Sequence, residues 1–279
     1  MSHKVLRYAA FAESRTGGNP AGVVLNARGL DESRMRMLAA EVGYSETAFL
    51  QPIAGRAYRI RYFSPRQEVA FCGHATIASA VALAERIGPG RVTLESPAGT
   101  IEVRTSGAHG QMVATLTSVP THTRAARDEE VYAALDALGW QARELDPHYP
   151  AHVAYAGNDH LMLAAATRER LAAVDYDMPA LADVMANFGW TTLHLFWAES
   201  PQLFHARDPF PIGGIREDPA TGSAAAAFGG YLRDLGLVPV PCRITILQGE
   251  DMGRPSQLLV EIGGEDDRVE VTGRATPID

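Results

Sequence analysis

A chain of 279 residues, 46% hydrophobic and 21% charged, can bury a large core and suits one large domain or two ordinary ones. A net charge of −8 argues against a nucleic-acid or anionic-membrane binder, since both need clustered positive charge; a small anionic partner in a local pocket stays open. Two cysteines, Cys72 and Cys242, are too few for a disulfide framework and too far apart for a short-spaced zinc motif, so a reduced, cytoplasmic setting is expected. The first residues lack a signal-peptide core and no apolar run approaches spanning length, so no membrane segment is expected.

In chain order, "KVLRYAAF" predicts a first strand, and "SRTGGNPAGVVL" a turn running into an apolar strand. "DESRMRMLAAEVG" predicts a helix capped by Asp31 or Ser33 and stopped at Gly43. "ETAFLQPI" and "YRIRYFSP" predict strands. "GHATIASAVALAERIG" follows, apolar nearly all round, which predicts a buried helix. "RVTLESPAGTIEVRT" predicts two strands about a turn, and "QMVATLTSV" another strand. "DEEVYAALDALG" and "MPALADVMANFG" predict helices, while "HYPAHVAYAG", "DHLMLAAA" and "TLHLFWAES" predict strands. "PQLFHARDPFP" predicts a strand leading into a Pro-rich loop. "TGSAAAAFGGYLRDLG" predicts a second Ala-rich helix, and "CRITILQGE" with "SQLLVEIGG" a hairpin.

Strand, loop, buried helix and hairpin thus occur twice at an offset of about 150 residues, with "RVTL" and "RITI" after the two helices, the signature of a duplication. The expected lobes are 1–119 and 120–279, divided near Pro120, with the last residues able to pack back on the first lobe. Duplicated halves usually face each other, and the cleft between them is the default ligand site.

The two helix starts, "CGHAT" and "DPATGSA", invite a chemical reading. First-turn N–H groups and the helix dipole hold carboxylate or phosphate without a basic side chain, and glycine admits close approach to the backbone. Other readings stand beside it. Asp218-Pro219 has the pattern of an N-cap followed by Pro at the first helical position. Thr76 and Ser223 can also cap. His74 can satisfy a core hydrogen bond, and Cys72 can be a small buried hydrophobe as readily as a nucleophile. Glu46 in "YSETAFL" is an acid inside an apolar segment, either facing solvent or desolvated and suited to moving protons.

The segments "GGNPAGVVL", "SETAFL", "RYFSPRQEVAFCGHATIASA", "GIREDPATGSAAAA" and "ILQGEDMGRPSQLLVEI" resemble, in order and over nearly the whole chain, the phenazine-biosynthesis isomerase (PhzF-like) family. The resemblance implies an α+β fold of the diaminopimelate epimerase-like type. In that fold two pseudo-symmetric lobes each wrap a mixed sheet around a central buried helix. It implies an isomerase that moves a proton between carbons of a small carboxylate-bearing substrate, with no metal and no organic cofactor, working as a homodimer. It carries the acid/base role to Glu46 and supporting roles to His74 and Asp218. Substrate binding falls to Asn19, Ser45, Gly73, Gly222 and Ser223. Sister enzymes of the fold, racemases and epimerases, use one thiol on each side of the reacting carbon. Here Cys72 stands at the first motif, but "DPATGS" has no cysteine, which disfavours two-thiol inversion. An epimerase or a dehydratase using Cys72, and a non-catalytic binding protein on the same fold, remain alternatives. The stretch "HARDPFPIGG", with His205, Arg207 and Asp208, departs from the family pattern and is expected to bear on substrate choice.

Overall fold

The computed structural model describes residues 3–12, 14, 16–108 and 111–279. Arg15, within the predicted turn before the second strand, lies outside the described residues. The chain divides into two compact units: residues 1–117 with 272–279, and residues 118–271.

The first unit runs β1 (Leu6–Ala10), β2 (Asn19–Val24), α1 (Glu32–Val42), β3 (Glu46–Ala54), β4 (Ala57–Phe63), β5 (Glu68–Val69), α2 (Gly73–Ile87), β6 (Gly90–Ser96), β7 (Gly99–Ser106) and β8 (Val113–Thr117). The second runs β9 (His122–Ala125), α3 (Asp128–Leu138), β10 (His152–Tyr155), β11 (Asp159–Ala164), α4 (Arg168–Ala172), α5 (Met178–Phe188), β12 (Thr192–Ser200), β13 (Leu203–Pro209), β14 (Glu217–Asp218), α6 (Gly222–Asp234), β15 (Cys242–Gln248) and β16 (Ser256–Ile262). The last strand, β17 (Val269–Pro277), begins in the second unit and ends in the first.

Pairing makes the internal repeat explicit. In the first unit β2 is parallel to β3, β3 antiparallel to β4, β4 antiparallel to β5 and parallel to β6, and β6 antiparallel to β7. In the second, β11 is parallel to β12, β12 antiparallel to β13, β13 antiparallel to β14 and parallel to β15, and β15 antiparallel to β16. Even the irregularity recurs, between Pro52 and Ala54 in β3 and between Ala198 and Ser200 in β12. Each unit is therefore a mixed sheet with a crossover helix, in an α+β architecture.

Those crossover helices are the buried ones. Eleven residues in unbroken succession, His74 to Ala84, are buried in α2, and Ala224 to Leu232 in α6. A helix covered on every side must be apolar all round, and alanine lets the strands close on it without strain. Helices α3 and α5 instead show one face to a separate core containing Leu135, Leu138, Leu181, Met185 and Trp190, which accounts for their amphipathic sequences.

Phe228 is the bulkiest apolar side chain of α6. Its ring centroid lies 4.6 Å from Phe196, 4.9 Å from Phe204 and 5.0 Å from His194. Truncation would leave a void that this close-packed cluster cannot collapse to fill. Phe228→Ala is expected to cost about 3–5 kcal/mol in equilibrium urea unfolding.

The helix boundaries correct some expectations. Asp31, not Ser33, caps α1, accepting from the Arg34 N–H at 2.8 Å. Asp218 is not an N-cap: it pairs with Asp208 in the short β13–β14 ladder, and α6 starts only at Gly222 after Thr221. Thr76 and Ser223 do not cap either, since both lie inside their helices, which begin after Cys72 and Thr221. His205, Arg207 and Asp208 belong to strand β13 rather than to the loop after it. Short β9 carries no alternating apolar pattern, and β17 is interrupted by Gly273; neither was predicted as a strand. Gly273 has a packing reason: a Cβ there would stand 2.2 Å from the Phe11 ring. No helix among the described residues is long and apolar enough to cross a membrane.

Candidate active site

In the first unit, the ends of β2, β3 and α2 bring together most of the residues singled out from sequence. Glu46 is the first residue of β3 and stands opposite Ala21 of the parallel strand β2, two residues along from Asn19. Asn19 itself is buried. The Glu46 side chain is 14% exposed, so its carboxylate is largely withdrawn from water yet still reachable. His74 Nε2 lies 3.4 Å from Glu46 Oε2 and 3.4 Å from Ser45 Oγ. Cys72 Sγ lies 3.6 Å from Glu46 Oε2, 3.4 Å from His74 Nδ1 and 3.8 Å from His74 Nε2. These separations exceed those of strong hydrogen bonds, as is common in ligand-free sites whose contacts tighten on binding.

Burial pushes the His74 pKa down, with Glu46 pulling weakly the other way. The ring is thus neutral near pH 7. At 3.4 Å the neutral ring is a polar neighbour of the Glu46 carboxylate and not its counter-ion.

The mouth of α2 is fixed from behind by a chain that sequence reasoning missed. The Thr76 hydroxyl donates to the Cys72 carbonyl at 2.7 Å, and the buried Tyr62 hydroxyl of β4 meets Thr76 Oγ1 at 2.6 Å. The Thr76 proton is committed to Cys72, so Tyr62 is the donor in that pair. Strand β4 thereby sets the position of Cys72, Gly73 and His74. The signal in sequence was thin: "RYFSP" carries Tyr62 at an inward position of an alternating strand, but nothing marks its partner.

In the second unit Gly222 and Ser223 open α6, and Asp218 lies in β14 just before it. The segment between them is braced by Gln248, a buried residue at the end of β15. Its amide oxygen accepts from the Thr221 N–H at 3.1 Å. Its amide nitrogen donates to the Asp218 carbonyl at 2.8 Å and to Thr221 Oγ1 at 3.2 Å. Thr221 in turn donates its hydroxyl proton to Asp218 Oδ2 at 2.7 Å. Gly249, in a left-handed conformation, allows this closeness: a Cβ there would fall 2.8 Å from the Pro219 carbonyl oxygen. Gln248 was legible only as part of the motif "ILQGE".

Ser223 does not join this brace. Its hydroxyl lies 3.1 Å from Nε2 of His160, whose Nδ1 lies 2.7 Å from Thr192 Oγ1. His160 is wholly buried, and burial, helped by nearby His194, pushes its pKa down to about 3. A neutral ring between two hydroxyls fixes both rotors, which orients Ser223. Nearby, His194 Nδ1 meets Asp208 Oδ1 at 2.8 Å with both side chains fully buried.

The three "departing" residues are occupied. His205 bridges Glu199 and Glu250 at 2.7 Å each, and Arg207 forks onto Glu217 with a shortest contact of 2.6 Å. Asp208 holds His194. All three make structural ties.

A family model described as phenazine biosynthesis-like protein matches residues 8–279. The trans-2,3-dihydro-3-hydroxyanthranilate isomerase of Pseudomonas fluorescens is 32% identical over 277 residues, covering 97% of this chain and 95% of that protein. A protein of Deinococcus radiodurans described as an uncharacterized isomerase is 33% identical, covering 94% and 87%. Among solved structures, a predicted epimerase from Pseudomonas aeruginosa superimposes with a TM-score of 0.87 at 26% identity, covering 100% and 98%. The fold also extends to a probable proline racemase from Agrobacterium radiobacter, TM-score 0.65 at 15% identity, covering 97% and 89%.

Proposed function

Because the chain belongs to the phenazine biosynthesis-like protein family, whose named relatives are isomerases, we propose that it moves a proton between two carbons of a small carboxylate-bearing ring or amino-acid-like substrate, with Glu46 as the single acid/base. What carries this reading is the setting of Glu46. It is a partly desolvated carboxylate at a strand end, with a neutral histidine 3.4 Å away and a thiol 3.6 Å away. Such a base can take a proton from carbon and return it to another carbon on the same face of a conjugated system. His74 steadies the carboxylate and meets the substrate's polar groups. Ser45, Gly73 and Asn19 are assigned to substrate binding in the first unit. Asp218, Gly222 and Ser223 are assigned to the substrate's amino or hydroxyl groups and its carboxylate, the helix-start N–H groups of Gly222 and Ser223 being natural donors to an anion. The same reading makes the protein a cytoplasmic homodimer that uses no metal or organic cofactor in turnover.

The test is solvent exchange. The protein is incubated in heavy water with trans-2,3-dihydro-3-hydroxyanthranilate and a panel of cyclic and hydroxylated amino acids, and carbon-bound deuterium is followed by NMR. Incorporation or isomerisation with one member names the substrate class. No incorporation across the panel, with stoichiometric capture of a protein partner instead, would replace the reading by that of a binding protein.

One observation supports a second reading. Cys72 Sγ sits 3.4 Å from His74 Nδ1, close enough for the imidazole to take the thiol proton. A one-thiol epimerase or dehydratase would use that pair. Cys72→Ser separates the two: carbon–hydrogen exchange within about threefold of wild type is expected if Glu46 is the base, and a loss of about 100-fold or more would promote the thiol.

A further inference from the structure

We propose that Glu46, Cys72 and His74 form a site that captures a zinc ion, and that the captured ion blocks the base. A ligand atom from each residue lies within 4.8 Å of the other two. The edges of the triangle are 3.4 Å from His74 Nε2 to Glu46 Oε2, 3.6 Å from Glu46 Oε2 to Cys72 Sγ, and 3.8 Å from Cys72 Sγ to His74 Nε2. Ligands about 2.0–2.3 Å from zinc at tetrahedral angles stand about 3.4–3.6 Å apart, so zinc enters this triangle with small side-chain adjustments. Sulfur, imidazole and carboxylate together are also the donor set that zinc prefers among common divalent ions, whereas magnesium and calcium require oxygen.

Charge favours the same occupant. Zinc with one thiolate, one carboxylate and one neutral imidazole forms a complex of zero net charge, which a mostly buried site tolerates far better than a bare cation. His74 Nε2 stands 3.4 Å from Glu46 Oε2 and 3.8 Å from Cys72 Sγ, so its lone pair can share an ion with both. Binding breaks one S–H bond and forms one Zn–S bond. The proton leaves to solvent, and no electron is transferred. Cys72 is 8% exposed and Glu46 keeps 14% of its side-chain surface, so both ligands retain some contact with the solvent that supplies the ion. A metal there occupies the carboxylate of Glu46, the group assigned to receive the substrate proton. Zinc is therefore an inhibitor of this protein and not its cofactor.

The capture rests on the ligand set and its geometry and holds whether or not Glu46 moves protons; the block rests on the reading of Glu46 as the base. The test uses Co²⁺ as a spectroscopic probe and Zn²⁺ as competitor, with chelator-treated full-length protein. One Co²⁺ per chain is expected, with a thiolate-to-cobalt charge-transfer band in the near ultraviolet that one equivalent of Zn²⁺ abolishes. Cys72→Ser should remove the band and weaken zinc by at least about 100-fold, since loss of outer partners alone costs about 10–100-fold. Cys242→Ser should keep both. Glu46→Gln should keep the band but weaken affinity by about 10-fold or more, a readout that stands if the serine variant fails to fold. No thiolate band in the folded wild type, a band that survives Cys72→Ser, or an affinity unmoved by Glu46→Gln would overturn the proposal. Zinc that binds as expected while the heavy-water assay stays silent would leave the metal site standing and remove only the catalytic reading.

Discussion

Glu46→Gln is expected to lower carbon–hydrogen exchange by at least about 10²–10⁴-fold, the range that positioned acid/base groups contribute. The amide keeps the length and branching of the side chain and can still accept from the Cys72 thiol. It cannot take up a proton from carbon. Stability should shift by no more than about 1 kcal/mol, because no buried charge is left unpaired by the change. Substrate affinity should be nearly kept, so the loss falls on kcat and not on KM. The measurement is deuterium incorporation by NMR beside a urea unfolding curve for each protein. Wild-type exchange in the glutamine variant would end the assignment of Glu46 as the base.

Acid should destabilise the protein well before its carboxylates are fully protonated. His160 has a pKa of about 3 in the folded protein because it is wholly buried, against an ordinary value near 6.5. The unfolded chain therefore holds one more proton than the folded one between these two values. Stability rises with pH across that window and is lost as pH falls. The limiting slope is about 1.4 kcal/mol per pH unit, or about 3 kcal/mol between pH 6.5 and 4 from this residue alone. His74 and His152 act in the same direction, since burial lowers both. Glu130 adds to the loss at lower pH. The Arg124 guanidinium, joined by the Arg127 side chain and backbone N–H, holds its pKa near 2, so its contribution is present above pH 4.5 and fades towards pH 2. Urea unfolding at several pH values measures the slope. His160→Asn removes the titrating group, costs stability at pH 7 through its two lost partners, and should flatten the curve by up to one proton. An unchanged slope in that variant would remove His160 from the account.

Much of the architecture was legible because periodicity and punctuation agree. The two Ala-rich runs ended at Gly88 and Gly236, and their all-round apolarity foretold helices covered on every side. The recurrence of "R-V/I-T-L/I" after them marked β6 and β15, the matching strands of the repeat. Glu46, Cys72 and His74 were visible as chemistry inside apolar segments. What stayed hidden depends on tertiary contacts between residues with no shared local pattern. Tyr62 reaches Thr76, Gln248 reaches Thr221, and His160 reaches Ser223, across 14, 27 and 63 residues of chain. The misplacement of the α6 start has a similar origin. Asp-Pro is a good cap in isolation, but the ladder to β13 holds Asp218 extended and delays the helix to Gly222.

The last strand also governs how this protein can be made. Tyr8, Ala9 and Ala10 of β1 pair with Pro277, Thr276 and Ala275 of β17, so the first unit includes the final residues of the chain. During synthesis, β1 leaves the ribosome 269 residues ahead of its partner on this side, Tyr8 before Pro277. Residues 118–271 are contiguous and can complete their own core while the amino-terminal unit waits with an open strand edge. Among the described strand pairings this one closes the longest loop, and it belongs to the slow end of folding. Ribosome-stalled chains that stop short of Thr272 should carry a protease-resistant second unit and a protease-sensitive first one.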